Sequence, residues 1–240
     1  MKGSITALVP CRAGSTRIKN KNIRPFADSS LLEIKLNQLL KLERVDRIIL
    51  STNDPLVQEI WEKNYKGQVD LHIRPNEFAS STCETHTLVQ HFIENLDFEN
   101  LLWTHTTSPF LGTESYDKII SKYWEVLSDG YDSLLTANRC QEFCFTEDGK
   151  TFNYEEKELG KWPRTQLLKP FYIVNSAVFL CSKAIMQACN DRMGKQPYFY
   201  PSNQMEGIDL DWPEDFNFAE NLWKLLEKKS NSPFEELCIY

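Results

Sequence analysis

Glycine is scarce in this chain, nine in 240 residues, and both glycine signatures of nucleotide-binding loops are missing. There is no GxxxxGK[ST], which excludes a Walker-type phosphate loop. There is no GxGxxG after the first apolar run, which counts against a nicotinamide oxidoreductase. No apolar run reaches the roughly 18 residues that cross a bilayer, and MKGSITALVPCRAG turns polar and basic too early for a secretory signal. Net positive charge is also lacking. A formal charge of −7 argues against a nucleic-acid polymer or an anionic membrane as partner. Histidine is rare, with four, and His72, His86 and His91 read as satisfied or surface side chains. The seven cysteines are odd in number, and Cys140 and Cys144 have no second pair to match them. We expect no zinc site and reduced, mostly buried thiols in a cytoplasmic protein.

Against this acidic background, ALVPCRAGSTRIKNKNIRPF places Arg12, Arg17, Lys19, Lys21 and Arg24 within thirteen positions, with no carboxylate among them. Gly14 and Ser15 are small, so the backbone there can approach a ligand and turn successive amides toward it. Arg12, Arg17, Lys19 and Lys21 could neutralise a polyphosphate, Arg as a bidentate fork and Lys as a point charge. The plain alternative is an exposed loop pairing with surface acids.

The apolar pattern gives the loop a place. Ile5–Pro10 reads as a buried parallel strand. Ser30 caps an amphipathic helix over LLEIKLNQLLKL. Strands at 47–52, 69–74, 101–106 and 133–138 alternate with helices at 55–65, 85–96 and 113–127. The expected fold is α/β: a Rossmann-like, mostly parallel sheet with helices on both faces, forming one domain over 1–240. Ligands in such sheets sit outside the carboxyl ends of the strands, where the basic loop begins. The rhythm breaks near 140. CFTEDGKTFNY puts Asp148-Gly149 between aromatic arms, a hairpin signal, so 141–172 reads as an excursion suited to a partner subunit. A strand at 172–181, a helix at 182–190 and a last helix from Pro213 follow.

Near the far end, Ile208-Asp209-Leu210-Asp211 alternates at a period of two. An extended chain there turns both carboxylates to one face. Two such oxygen ligands suit Mg²⁺, which fills its other positions with waters and phosphate oxygens. The alternative is an edge strand with a solvated face.

With both motifs in hand, the chain resembles the acylneuraminate cytidylyltransferase family, the CMP-sialic acid synthetases and their relatives, over nearly its whole length. PCRAGSTRIKNKNIRPF is similar to the family's Arg-rich first motif, with Lys21-Asn22 matching its Lys-Asn ending. RIILSTNDPLVQEI resembles its second strand and helix. IRPNEFASST, TTSPF, PRTQLLKPFYIVNSAVFL and IDLDWPEDFNFAE follow in the family's order. The resemblance implies that CTP and a 2-keto sugar acid give a CMP-sugar and pyrophosphate, with Mg²⁺ as cofactor and a homodimer formed through the excursion. It implies that Arg12, Ala13, Gly14, Ser15 and Lys21 hold the triphosphate, with Arg12, Lys21 and Asp211 central to catalysis. Asn22, Arg74 and Ser80 would line the cytidine site, and Asp209 and Asp211 would bind the metal. Thr107 and Ser108 of TTSPF, with Arg164, Gln166 and Asn175, would face the sugar acid, Arg164 reaching a neighbouring subunit's site. Two departures fall on the sugar side. His105 stands where a sugar-contacting Gln is expected, and would bring a pH-dependent charge. Ser176 replaces a Gly and would narrow the sugar pocket. KDO cytidylyltransferases share Gly-Ser-Thr-Arg, so a KDO-type acceptor and a non-catalytic sugar-nucleotide binding protein stay open.

Overall fold

The computed structural model describes residues 3–230. Cys238 and the rest of the expected domain's C-terminal end lie outside them. In chain order, β1 (Ile5–Pro10) leads through the basic loop to a two-residue ladder, β2 (Pro25–Phe26) and β3 (Ser29–Ser30). Then come α1 (Leu31–Leu39), β4 (Arg47–Thr52), α2 (Pro55–Asn64), β5 (Asp70–Ile73), α3 (Thr85–Asn95), β6 (Asn100–Thr104) and α4 (Thr113–Ser128). β7 (Ser133–Cys140), the one-turn α5 (Glu156–Leu159), β8 (Phe171–Ser182), α6 (Lys183–Cys189), β9 (Pro197–Ser202) and α7 (Pro213–Ser230) complete the chain.

Local chemistry explains the boundaries. Ser30 caps α1 by accepting the Glu33 amide at 3.3 Å, while its hydroxyl donates to the Glu33 carboxylate at 2.8 Å, a reciprocal cap. Asp54 caps α2, which has Pro55 in its first turn. Asn190 ends α6 in the left-handed region.

The seven sheet strands lie in the order β5-β4-β1-β6-β8-β7-β9. Every pairing is parallel except those of β8, which runs antiparallel to both β6 and β7. The sheet is therefore mostly parallel, as expected. Two elements escaped the sequence pattern. β9 holds Pro197 and Pro201, which depress a strand reading, yet it sits at the sheet edge, where proline is tolerated. The β2–β3 turn has Ala27 at φ 51° instead of the glycine that would announce it.

Helices cover both faces. α1, α2 and α4 pack with one side of the sheet through Leu32, Leu36, Val57, Ile119 and Tyr123. α3 and α6 cover the other through Val89, Phe92 and Met186. A third cluster joins Ile18, Phe26, Leu31, Leu210 and Phe216, fixing the basic loop and the start of α7 to α1. Among the described cysteines, Cys11 and Cys181 are buried, whereas Cys83, Cys140, Cys144 and Cys189 are half-buried and all six are free. The thiols are not mostly buried as expected, because those four fall in loops or at element ends.

One buried cation has no carboxylate partner. Lys35 of α1 is fully enclosed. Its Nζ donates to the Ser108 carbonyl at 2.9 Å and to Tyr116 Oη at 2.7 Å. Tyr116 Oη lies 2.6 Å from Thr104 Oγ1, which donates to the Ala177 carbonyl. Burial lowers the Lys35 pKa to about 7. Between about 7 and the ordinary value of about 10.4 the unfolded chain holds a proton that the folded chain does not, so stability rises with pH across that window. The slope contributed is at most about 1.4 kcal/mol per pH unit. Denaturant titrations at pH 7 to pH 10 should show this rise in the wild type and a flatter profile in Lys35→Met. Equal slopes in both proteins would overturn the assignment.

Candidate active site

The strand order puts β5, β4, β1 and β6 side by side, and all four run the same way. Their carboxyl ends open into one cleft. It is lined by Arg12, Ser15, Arg17, Lys21 and Asn22 from the loop after β1, by Arg74 after β5, and by His105, Thr106 and Thr107 after β6. Seven of the residues expected at the site (Arg12, Ser15, Lys21, Asn22, Arg74, His105 and Thr107) therefore meet there.

The basic loop is held from both sides. Ile18 is buried in the cluster beneath it. The Ala13 amide donates to Asn53 Oδ1 at 2.8 Å, so this expected phosphate donor is already engaged. Gly14 takes φ 74°, where a side chain is strained, and its carbonyl accepts from Arg12 Nη1 at 3.4 Å. Asn22 Oδ1 accepts from Thr106 Oγ1 at 2.7 Å, which fastens the loop to the end of β6. Arg24 lies over the Phe216 ring and serves packing. Lys19 is exposed and does not line the cleft.

Arg74 is almost wholly buried, and the acceptors it reaches are neutral. Nε donates to Ser51 Oγ at 3.1 Å and Nη2 to the Ser51 carbonyl at 2.8 Å. Burial lowers its pKa to about 10, so it remains a cation at neutral pH. A buried cation among neutral acceptors favours an anion in the adjoining cleft.

The two carboxylates arrive from the far end. No strand forms at 208–211, but the alternation holds. Ile208 and Leu210 pack into the third cluster, and Asp209 and Asp211 are half-buried. Asp211 Oδ1 accepts from Arg17 at 2.9 Å and Lys21 at 3.3 Å, and Lys21 also donates to the Leu210 carbonyl at 2.7 Å. Asp215 accepts the amides of Asp211 and Trp212 at the start of α7 and fixes that turn. Asp209 hydrogen-bonds Thr107, and its pKa is raised, first by burial and then by the Asp211 charge. Asp209 Oδ1 is buried with no hydrogen-bond partner. Such an orphaned carboxylate oxygen fits a hard cation. Among the described residues no cluster of three or more potential metal ligands exists. Any ion here must therefore complete its shell with water or phosphate oxygens.

Several expected residues lie elsewhere. Ser80 is exposed and its hydroxyl pairs with Thr82 at 2.7 Å. Ser108 is buried outside the cleft, its carbonyl taken by Lys35. Asn175 does not line the cleft. Its Oδ1 accepts from Thr136 and Ala177, and its Nδ2 donates to Asn138 and Ser202, so its polar atoms serve a β7–β8 irregularity. Ser176 sits there at φ 58°, a backbone conformation that glycine adopts without strain, and it does not line the cleft, so it does not narrow it. Arg164 and Gln166 are exposed in the excursion. The excursion keeps its expected turn, with Thr146 and Lys150 paired at 2.8 Å and Gly149 at φ 79°. His105 departs from expectation in charge. Burial first, and then the Arg192 cation, push its pKa down to about 3, so it is neutral near pH 7. Asn53, Thr106 and Arg192 carried no sequence signal, since single polar residues in loops match no motif.

A cytidylyltransferase family model matches residues 6–236. The chain belongs to the cytidylyltransferase family. Among curated relatives, the N-acylneuraminate cytidylyltransferase of Escherichia coli is 23% identical over 224 residues, covering 91% of this chain and 52% of that protein. The pseudaminic acid cytidylyltransferase of Campylobacter jejuni is 25% identical over 230 residues, covering 91% of this chain and 95% of that one. The chain thus spans about half the length of the first and nearly all of the second. Among solved structures, a CMP:2-keto-3-deoxy-manno-octonic acid synthetase complexed with CTP superposes with a TM-score of 0.66 at 9% identity, covering 93% of this chain and 99% of that one. That likeness is one of fold. Membership of this family removes the oxidoreductase alternative. No described helix is long and apolar enough to cross a membrane.

The Arg17–Asp211 pair is close to half-exposed on both sides, and such pairs contribute about 1 kcal/mol or less. Asp211→Asn should therefore leave the thermal midpoint within a few degrees while amide exchange speeds up across residues 12–24. A large fall in midpoint would show that the pair supports the whole fold instead of the loop.

Proposed function

We propose that this cytidylyltransferase joins CTP to a 2-keto sugar acid, giving a CMP-sugar and pyrophosphate in a Mg²⁺-dependent reaction. The observation that carries this reading is a cleft lined by loop cations and a buried arginine, with two carboxylates from the far end of the chain on its border: Asp211 is paired with the lining residues Arg17 and Lys21, and Asp209 adjoins Thr107. A nucleoside triphosphate with a divalent ion is the ligand whose charges complement that set.

The chemistry needs positioning and charge neutralisation more than covalent help from the protein. The anomeric hydroxyl of the sugar acid attacks the α-phosphorus. An oxygen–phosphorus bond forms, the bond to pyrophosphate breaks with the electron pair going to the pyrophosphate oxygen, and the hydroxyl proton passes to solvent water. Arg12, Lys21 and the Ser15 region hold the triphosphate, with Arg17 beside them. Asn22, fixed by Thr106, and Arg74 orient the nucleotide. Asp209 and Asp211 would hold Mg²⁺, which when bound neutralises the departing pyrophosphate and orients its oxygens. As the nucleotide enters, Lys21 and Arg17 exchange the Asp211 carboxylate for phosphate oxygens, which frees that carboxylate for the ion.

The sugar acid end draws on a second copy. The cleft opens to solvent and holds about 260 Å³ of space. Arg164 and Gln166 lie outside it, on an excursion whose neighbourhood exposes Phe152, Trp162, Leu167, Ile173 and Val174. Apolar exposure on this scale marks an interaction face. A homodimer through it would bring Arg164 toward the partner's cleft.

Pyrophosphate release measured with Mg²⁺, each of the four nucleoside triphosphates and a panel of nonulosonic acids and KDO should occur with CTP and one acid class. CTP binding without release from any acid would support the non-catalytic alternative. Asp211→Asn should abolish Mg²⁺-dependent turnover, and near-normal turnover at saturating Mg²⁺ would remove the metal assignment. Ile173→Asp should shift light-scattering mass from dimer to monomer and reduce turnover. An unchanged mass would place any dimer interface elsewhere.

A further inference from the structure

Trp103, the penultimate residue of β6, and Arg192, in the loop after α6, both point hydrogen-bond donors at one atom. Trp103 Nε1 donates to His105 Nε2 at 3.1 Å, and Arg192 Nη1 lies 3.2 Å from the same nitrogen. Neither indole nor guanidinium can accept a hydrogen bond. His105 Nε2 must therefore be the acceptor, and the proton of the neutral ring sits on Nδ1. No described residue hydrogen-bonds Nδ1, and His105 lines the cleft.

The guanidinium is itself held firmly. It stacks 3.7 Å from the Phe179 ring centroid and 5.0 Å from that of Trp103, and no described carboxylate forms an ion pair with it. Protonating Nε2 would set an N–H against two N–H donors, one of them cationic. The charged groups acting on His105 are Arg192, Lys21, Lys35 and Arg74, all positive. Every influence on the ring therefore favours the same neutral form.

We propose that Arg192 is a positioning residue that locks His105 as a neutral Nδ1–H donor, so that this wall of the cleft selects an acceptor oxygen on the sugar acid. The selection part rests on the cytidylyltransfer reading; the tautomer does not. Two consequences follow. His105 cannot take the proton of the attacking hydroxyl, because its one lone pair is already shared by two donors. It also differs from a glutamine side chain at this position, which carries a donor and an acceptor together. An acceptor whose matching group is a carbonyl, carboxylate or ether oxygen suits the site. One that must donate there does not.

The test is ¹⁵N NMR of the histidine-labelled protein, with the His105 signals identified by their loss in His105→Gln. The wild type should show the proton on Nδ1 both above and below the ordinary histidine pKa of about 6.5. A proton on Nε2, or titration near the ordinary value, would overturn the proposal whether or not the enzyme turns over. Arg192→Met should let His105 titrate closer to the ordinary value, with Trp103 alone left to hold Nε2 as acceptor, and Arg192→Lys should restore the wild-type form. In kinetics, Arg192→Met should raise KM for the sugar acid about tenfold, the loss of one hydrogen bond, and make it pH-dependent, with KM for CTP unchanged. A wild-type His105 signature with equal losses toward CTP and sugar acid would overturn the selection part alone. Absence of CTP-dependent pyrophosphate release in the wild type would overturn the cytidylyltransfer reading, and the spectrum would still decide the tautomer.

Discussion

The carboxylate of Asp211 holds two cations of a loop 194 and 190 positions earlier in the chain. Without that contact the basic loop would be a run of like charges, self-repelling and solvated. With it, Arg17 and Lys21 are gathered on one side, while Ile18 between them is drawn into the cluster that also takes Leu210. Ile18 in the loop and Leu210 at the far end turn into the same core, while Arg17 and Lys21 of the loop meet Asp211 beside it. The pair contributes little to global stability, being close to half-exposed. Its effect is geometric: it sets which way the loop's cations point.

Much of this was legible beforehand, for definable reasons. β1 reads as an apolar run and β4 and β6 have apolar centres, IIL and LLW, and strands buried on both faces leave little choice of structure. α1 and α2 announce themselves by Ser30 and by Pro55, and the structure adds Asp54 as the cap of α2. The cleft residues after β1 were readable because several cations without a neighbouring acid are improbable unless an anion balances them. β9 was hidden by its prolines, whose cost disappears at a sheet edge. The direction of β8 was equally hidden, since no local signal distinguishes a parallel from an antiparallel partner.

Ser80, Ser108, Asn175 and Ser176, expected at the site from short motifs, do not line the cleft, and each has a local structural role where it stands. The stretch Asn175-Ser176-Ala177 is the clearest case. Its asparagine satisfies four polar neighbours, and its second residue takes a left-handed conformation at a bulge between β7 and β8. Here the requirement is met by serine at some strain. The segment builds this irregularity and does not line the cleft.

Lys35 and Arg74 show how such a site can be made attractive to anions without surface charge. Both are buried, and the acceptors they reach are neutral oxygens. Burial lowers the pKa of each, which means that each would gain from a nearby negative charge. Arg74 lines the cleft directly. Lys35 sits behind it, holding the Ser108 carbonyl while Tyr116 and Thr104 carry the hydrogen-bond chain to β8. An anion entering the cleft would stabilise both cations relative to their neutral forms, by an amount that falls with distance and is screened little in the protein interior. A chain with net charge −7 thus presents a positive interior to its ligand. Beside these cations, His105 adds a neutral contact to the same cleft, where hydrogen-bond direction discriminates and bulk charge does not.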